Sequence, residues 1–273
     1  MNLTQQEQEA ATGPSIKLDG ITKEFYAFGR PLLVLDDVDF HVSEGEFVTI
    51  IGPSGCGKST LLNIIAGLDE PNQGTIWLRE TEQAQRLGRV TYMHQKDLLL
   101  PWRTVLDNAV LGLEVQGVPR AQARQRAEAL MERFGLKGFE RAYPSALSGG
   151  MRQRAAFLRT VLSERDVVLL DEPFGALDAL TRAQMQEWLL DLWASFHKTI
   201  VLVTHDVDEA VFLSDRIYLM TARPGRVKLV LPVDLPRPRS YDIVTQGPFI
   251  ALKARLLATI REESLRTQEE PWQ

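Results

Sequence analysis

An apolar run, Phe47-Val48-Thr49-Ile50-Ile51, passes straight into Gly52-Pro53-Ser54-Gly55-Cys56-Gly57-Lys58-Ser59-Thr60. That segment passes straight into Leu61, Leu62, Ile64 and Ile65, and the apolar spacing stops at Gly67. A continuous apolar run ending in glycine reads as a buried strand, and the stretch from Thr60 to Gly67 reads as a helix closed by a glycine cap. The intervening segment matches the phosphate-loop pattern in full and in the required context, after a strand and before a helix. Its glycines let backbone N–H groups converge on phosphate oxygens, and the helix N-terminus adds a favourable field. Lys58 supplies a point charge for β- and γ-phosphates, and Ser59 offers a hydroxyl to Mg²⁺. The rival reading is a glycine-rich turn opening a helix. Strands and helices that alternate around such a strand–loop–helix unit argue for an α/β core with a parallel sheet.

Other segments also carry chemistry. Val167-Val168-Leu169-Leu170-Asp171-Glu172 is an apolar strand ending in two carboxylates. Asp171 is suited to hold Mg²⁺ through water, and Glu172 to take a proton from an attacking water. A solvated acidic pair at a strand end is the bland alternative. Leu147-Ser148-Gly149-Gly150-Met151, followed by Arg152-Gln153-Arg154, places a serine and two glycines at the opening of a helix, a second anion site on the same charge logic. His205 ends the run Val201-Leu202-Val203-Thr204, where a γ-phosphate contact competes with a capping or packing role. Gln95, after a short strand, is by itself only a polar residue. Cys56 reads as a small residue tolerated in the loop, and its place near Lys58 and a helix N-terminus predicts a somewhat activated thiol.

Composition bounds the rest. The 273 residues are 25% charged and 44% apolar, an ordinary globular mix, with net charge −5 and so no general pull toward nucleic acid. No apolar run approaches the ~18 residues of a membrane helix. Residues 1–14 are polar, lack the apolar middle of a signal peptide and are expected to form a disordered tail. Cys56 stands alone, so no internal disulfide is possible. A cytoplasmic address fits, with any membrane contact made through a partner.

Strand-like segments are expected at 16–28, 33–42, 74–79, 89–94, 199–204 and 216–220. Helical spacing dominates 105–138, where Ala123, Ala127, Leu130, Met131 and Phe134 share a face. Residues 98–165 therefore read as an inserted helical subdomain. A helix over 179–196 carries Met185, Trp188, Leu189, Leu192 and Trp193 on one stripe, which predicts core packing. Residues 206–213 read as a further helix. Beyond Thr221 the prolines break regular structure, until Phe249, Leu252, Leu256, Leu257 and Ile260 give one amphipathic helix. The polar end, 262–273, is expected to fray.

With the motifs in this order, the chain resembles the ATPase subunits of the ATP-binding cassette (ABC) family from about Ile16 to Pro224. The resemblance implies a phosphate-loop cassette with a RecA-like core, an N-terminal antiparallel β region and the helical subdomain. The ABC domain would span 15–230, and 231–273 would be an extension without an added barrel. It also implies roles. Phe25 falls where an aromatic stacks on adenine, though a core Phe is the rival reading. Gln95 matches the glutamine loop that contacts Mg²⁺ and the attacking water, and His205 matches the switch histidine. Asp178, in Phe174-Gly175-Ala176-Leu177-Asp178, matches the loop that crosses to a second subunit. Leu147, Ser148, Gly149, Gly150 and Met151 match the signature that meets ATP held by the opposite copy. ATP and Mg²⁺ are the implied cofactors.

Leu99-Leu100-Pro101-Trp102-Arg103-Thr104 and Leu235-Pro236-Arg237-Pro238 are similar to the importers of nitrate, sulfonates, taurine and thiamine precursors. Tyr92-Met93-His94-Gln95 and Phe157-Leu158-Arg159-Thr160 lean toward the thiamine pyrimidine-precursor branch, with His94 in place of the usual Phe. The implied partners are a second copy, transmembrane permease subunits and, indirectly, an extracytoplasmic solute-binding protein, with no nucleic acid. The implied place is peripheral, on the cytoplasmic face of the membrane. Leu98 to Trp102 would serve as a dock for the permease or simply pack the subdomain. Two rivals stay open: a non-transport ABC-type ATPase acting on nucleic acid or ribosomes, and a nucleotide kinase.

Overall fold

The computed structural model describes residues 15–27, 29–79, 81–82 and 85–269. The tail expected over 1–14 lies outside these. Elements are numbered in chain order. Strands β1 (Ile16–Ala27), β2 (Arg30–Val42), β4 (Gln73–Leu78) and β5 (Thr81–Glu82) form an antiparallel sheet in the order β2-β1-β4-β5. Strands β3 (Phe47–Ile51), β6 (Thr91–Met93), β7 (Val167–Asp171), β8 (Thr199–Thr204), β9 (Arg216–Met220) and β10 (Val227–Pro232) form the central sheet, ordered β10-β9-β3-β8-β7-β6. Its pairings are parallel except β10 with β9.

Side-chain alternation explains why the central strands read as unbroken apolar runs. Phe47, Val168, Leu170, Ile200, Leu202, Ile217 and Leu219 face one core cluster. Their neighbours Val48, Ile50, Val167, Leu169, Val201, Val203, Tyr218 and Met220 face the other. The second cluster is closed by helix α1 (Lys58–Ala66) and the antiparallel sheet. The first is closed by the helical region and by α6 (Ala179–Phe196). A sheet covered on both faces has no polar side to show. The expected stripe on α6 is core: Met185, Leu189 and Leu192 are buried, and the Trp188 ring stands edge-on to Phe134 and Phe157.

Between Val105 and Val161 lie α2 (Val105–Ala109), α3 (Leu111–Val115), α4 (Arg120–Met131) and α5 (Gly149–Val161). The helical pattern expected over 105–138 is therefore interrupted: Gly117 takes a left-handed φ of 82° and Pro119 opens α4. Helix α7 (Val207–Leu213) follows β8, with Asp206 as its N-cap.

Two differences fall near the C-terminus. Strand β10, expected to be irregular, pairs along β9 from Val227 to Pro232, so the boundary expected at 230/231 falls inside a strand. Its proline is tolerated because β10 is an edge strand and Pro232 its last residue. Helix α8 (Gly247–Glu269) also runs past the point where fraying was expected. It is held there by Glu263, buried to 4% exposure and paired with Lys228 of β10 at 2.8 Å. Arg237 and Arg239 staple this extension to the core. Arg237 lies over Trp193 and pairs with Asp215. Arg239 is buried and donates to the carbonyls of Val211, Phe212, Ser214, Val233 and Leu235, and burial pushes its guanidinium down to about 10.

Candidate functional site

Gln95, Asp171, Glu172, His205 and the phosphate loop all lie at or just beyond the C-terminal ends of parallel strands of one sheet: β6, β7, β8 and β3. Parallel strands deliver their chain ends to a common edge, and ligands of open α/β sheets bind there. The segments are far apart in sequence, and the strand order β3-β8-β7-β6 makes them neighbours.

In the phosphate loop, Gly55 and Gly57 take φ of 77° and 106°, conformations that side chains resist, and Gly57 opens α1. A Cβ at Gly57 would lie 2.6 Å from Leu35 Cδ2, so the loop is pressed against β2. The Lys58 ammonium is buried and donates to the carbonyls of Gly52 at 2.8 Å and Pro53 at 2.9 Å, which folds the loop around its cation. Cys56 does not behave as expected. Its thiol is fully buried, and that desolvation pushes its pKa up despite the opposing Lys58 charge. A deprotonated sulfur has no water there, so the reading of an activated thiol is corrected: Cys56 is a packing residue.

Glu172 is the centre of the site. Its Oε2 accepts from Gln95 Nε2 at 2.9 Å, and its Oε1 lies 3.2 Å from His205 Nδ1. The backbone of Glu172 takes φ of 47°, a conformation that costs a non-glycine residue about 1–3 kcal/mol. It is locked by its own N–H, which donates to Val203 O at 2.9 Å. The turn aims the carboxylate out of β7, between β6 and β8. Asp171, one residue earlier, is turned instead toward Ser59 and Tyr92. It is 4% exposed, and burial raises its carboxyl above the usual range, with hydrogen bonds from Ser59 and Tyr92 opposing. Asp171 and Ser59 thus share one oxygen-rich corner.

The helix expected after Ser148 is present, with Ser148 at its N-terminus. Ser148 caps α5, its Oγ accepting from Met151 N at 3.2 Å, and Ser148 and Gly149 are exposed. Leu147 is buried and anchors the turn. Asp178 likewise caps α6, accepting from Thr181 N at 3.0 Å, which lowers its pKa, and it is exposed. The side chains of Ser148 and Asp178 bond within their own turns, not to the phosphate loop of the same chain. Phe25 is 40% exposed with Lys23 over its ring, and Tyr26 is more exposed still, so β1 presents two neighbouring aromatics.

Several contacts at the site give no signal in the sequence. Arg152 Nε pairs with Asp97 Oδ2 at 3.1 Å, and Arg159 donates to the carbonyls of Asp97 and Leu98. Two arginines of α5 therefore hold the loop that comes after Gln95. Arg223 donates to Gly55 O at 3.1 Å, and Gly225 sits where a Cβ would meet Cys56 O at 2.1 Å. Tyr92, stacked on His94 at 4.0 Å, reaches Asp171. Pattern reading could have found none of these, because each depends on which strands become neighbours.

Known proteins similar to this chain share one family. The family described as ABC transporter matches residues 35–175. An uncharacterized ABC transporter ATP-binding protein of Methanocaldococcus jannaschii is 44% identical over 252 residues, 92% of this chain and 93% of that protein. The formylaminopyrimidine import ATP-binding protein of Halalkalibacterium halodurans is 44% identical over 88% of this chain and 95% of its own. The aliphatic sulfonates import ATP-binding protein of Bacillus subtilis is 42% identical over 86% and 90%. Among solved structures, a dimeric ATP-binding cassette in a post-hydrolysis state with ADP and Pi superposes with a TM-score of 0.73 at 30% identity, covering 81% of this chain and 100% of that one. The chain belongs to the ABC transporter family and is one of its ATP-binding, ATP-hydrolysing cassettes.

Proposed function

We propose that this cassette powers a solute importer, as one of two copies that clasp two MgATP molecules between them. The observation that carries the catalytic part is the meeting of Gln95 and His205 on the Glu172 carboxylate. Glu172 is the general base for the attacking water, Gln95 orients that water, and His205 contacts the γ-phosphate. Lys58 and the loop segment Gly52, Pro53, Ser54, Gly55, Cys56, Gly57, Ser59 and Thr60 hold the phosphates. Phe25 stacks on adenine.

Mg²⁺ fits the donors available. Ser59, Asp171 and Gln95 would offer a hydroxyl, a carboxylate and an amide oxygen, the hard ligands this ion prefers. Bound there, the ion neutralises charge on the transferring phosphoryl group.

The two-copy arrangement rests on Ser148 and Asp178. Both are exposed helix N-caps whose side chains bond within their own turns, and the superposing cassette is a dimer. Leu147 to Met151 would meet the partner's ATP. Among the described residues no helix is long and apolar enough to cross a membrane. Relatives named as import ATP-binding proteins support a reading in which permease subunits attach the cassette to the cytoplasmic face of the membrane. The segment read as their dock divides in two: Leu99 is buried, whereas Leu98 and Trp102 are 51% and 71% exposed. Beside it lies a cleft of about 310 Å³ lined by Tyr92, Leu111, Val115 and Arg159, among others. A solute-binding protein on the far side would choose the cargo.

For cargo, relatives named for formylaminopyrimidine and for aliphatic sulfonates are similar to this chain to nearly the same degree, and the pyrimidine precursor of thiamine is the first candidate. The test is ATP hydrolysis by the cassette with its permease in proteoliposomes, with binding protein loaded in turn with each solute. Stimulation by one solute supports the reading and names the cargo. Stimulation by DNA or ribosomes, with none by any solute, would overturn it.

A further inference from the structure

Arg182, in the first turn of α6, spans from the segment carrying Asp178 to the segment carrying His205. Its Nη2 donates to Leu177 O at 3.2 Å, and its Nη1 lies 3.4 Å from Asp206 Oδ2. Its backbone N–H donates to Asp178 O at 2.8 Å, so Arg182 holds the carbonyls of both residues of that turn. At the other end, Asp206 directly follows His205. The second oxygen of Asp206 accepts from the backbone of Asp208 and Glu209 and caps α7. The Asp206 N–H donates to Thr204 Oγ1, whose hydroxyl donates to the buried Glu209. The His205 backbone is thus fixed by one small network, and Arg182 is the side chain that joins it to the 177–178 turn. A cavity of about 80 Å³ beside it, lined by Gln186, Glu209 and Tyr241 among others, leaves room for the guanidinium to shift.

We infer that Arg182 is a positioning residue that makes the placement of His205 depend on the 177–178 turn, and so on the second copy that this turn faces. This rests on the two-copy reading above. When a partner orders the turn, Leu177 O moves, the guanidinium follows, and Asp206 carries His205 into or out of register with Glu172. No contact between Arg182 and nucleotide is involved. The step is a coupling of two segments through a shared cation, and it obeys the rule that coupling needs a physical element both sites bias.

Arg182→Met tests this. The expected result is unchanged binding of a fluorescent ATP analogue, unchanged thermal midpoint, and a kcat lowered by roughly 5-fold or more, the low end of ordinary coupling between sites. Arg182→Lys, which keeps the charge, should regain part of the rate. Asp206→Asn keeps the helix cap, since Asn caps as well as Asp, while removing the charge that Arg182 meets. Its loss of rate should not add to that of Arg182→Met. Wild-type kcat in Arg182→Met, or fully additive losses, would overturn the strut. A rate loss that tracks a fall in thermal midpoint in both Arg182 variants would also overturn it, because that marks a stability role. A wild-type chain without ATPase activity would instead overturn the catalytic reading on which the strut depends, so the two failures are separable.

Discussion

Gln95 and Glu172 are joined at 2.9 Å, side chain to side chain, although they lie 77 positions apart. The bond leaves Glu172 Oε1 to face His205. A carboxylate with an amide donor on one oxygen and an imidazole on the other is oriented on both sides before any water arrives. Glu172→Gln keeps the shape and removes the carboxylate proposed as the base. The variant should bind MgATP, accumulate as a dimer by size exclusion, and lose on the order of 10²–10⁴ in turnover, the usual worth of a general base. Wild-type phosphate release from this variant would remove Glu172 from the role.

In the proposed two-copy arrangement, Ser148 and Lys58 belong to one site contributed by two chains. Ser148→Arg should leave the monomer folded at a cost of about 1 kcal/mol for the lost cap, and should abolish hydrolysis. Lys58→Ala should be inactive through the phosphate loop. Mixing the two inactive proteins is then the decisive measurement. A mixed dimer contains one site in which both Lys58 and Ser148 are intact, each from a different protein, so activity should return on mixing. A mixture as inactive as its parts would contradict the shared site.

The legibility of this chain is uneven for physical reasons. The phosphate loop and Asp171-Glu172 are readable because each motif is local: a glycine pattern with its strand and helix, or a strand with its terminal carboxylates. Helix α6 and strands β8 and β9 are readable to the residue, because their apolar pattern is set by a core that covers both sheet faces. Strand β10 is not, since its identity comes from pairing with β9 between two prolines rather than from its own pattern. The same holds at the site. Arg182 and Arg223 act through partners 24 and 168 positions away, and an arginine in a helix or loop carries no mark of the neighbour it will meet. The misreading of Cys56 has the opposite origin. Its neighbours in sequence, Lys58 and a helix N-terminus, are real, but burial outweighs both.

Gly225 offers a test of how tightly the phosphate loop is backed. Its N–H donates to Val34 O, its carbonyl accepts from Asp36 N, and Arg226 pairs with Asp36. A methyl group at this position would stand 2.1 Å from Cys56 O and 2.9 Å from Met220 Cε. The backbone carbonyl cannot yield without moving the loop. Gly225→Ala should therefore lose about 1–3 kcal/mol in urea unfolding, the range for an overpacked site, and weaken ATP binding in parallel. Stability and affinity equal to the parent would mean that the loop relaxes freely, and that the 221–226 segment does not brace it.

Glu209 gives the chain a pH dependence of definite sign. It is 5% exposed, and burial raises its carboxyl to about 7, with the Thr204 hydroxyl bond and Arg182 opposing and Asp206 adding to the rise. Between those values the folded protein holds a proton that the unfolded chain, with its carboxyl near 4.5, has already released. Where the native state binds more protons, stability falls as pH rises. The neutral Glu209 contributes fully below about 4.5, and its contribution is gone above about 7. The shift corresponds to no more than about 3.5 kcal/mol over that window. Glu209→Gln keeps an acceptor for Thr204 and cannot ionise. Urea titrations at pH 5 and pH 8 should show the parent losing stability across the interval and the variant losing less. Parallel losses would show that Glu209 is already ionised in the fold at pH 5.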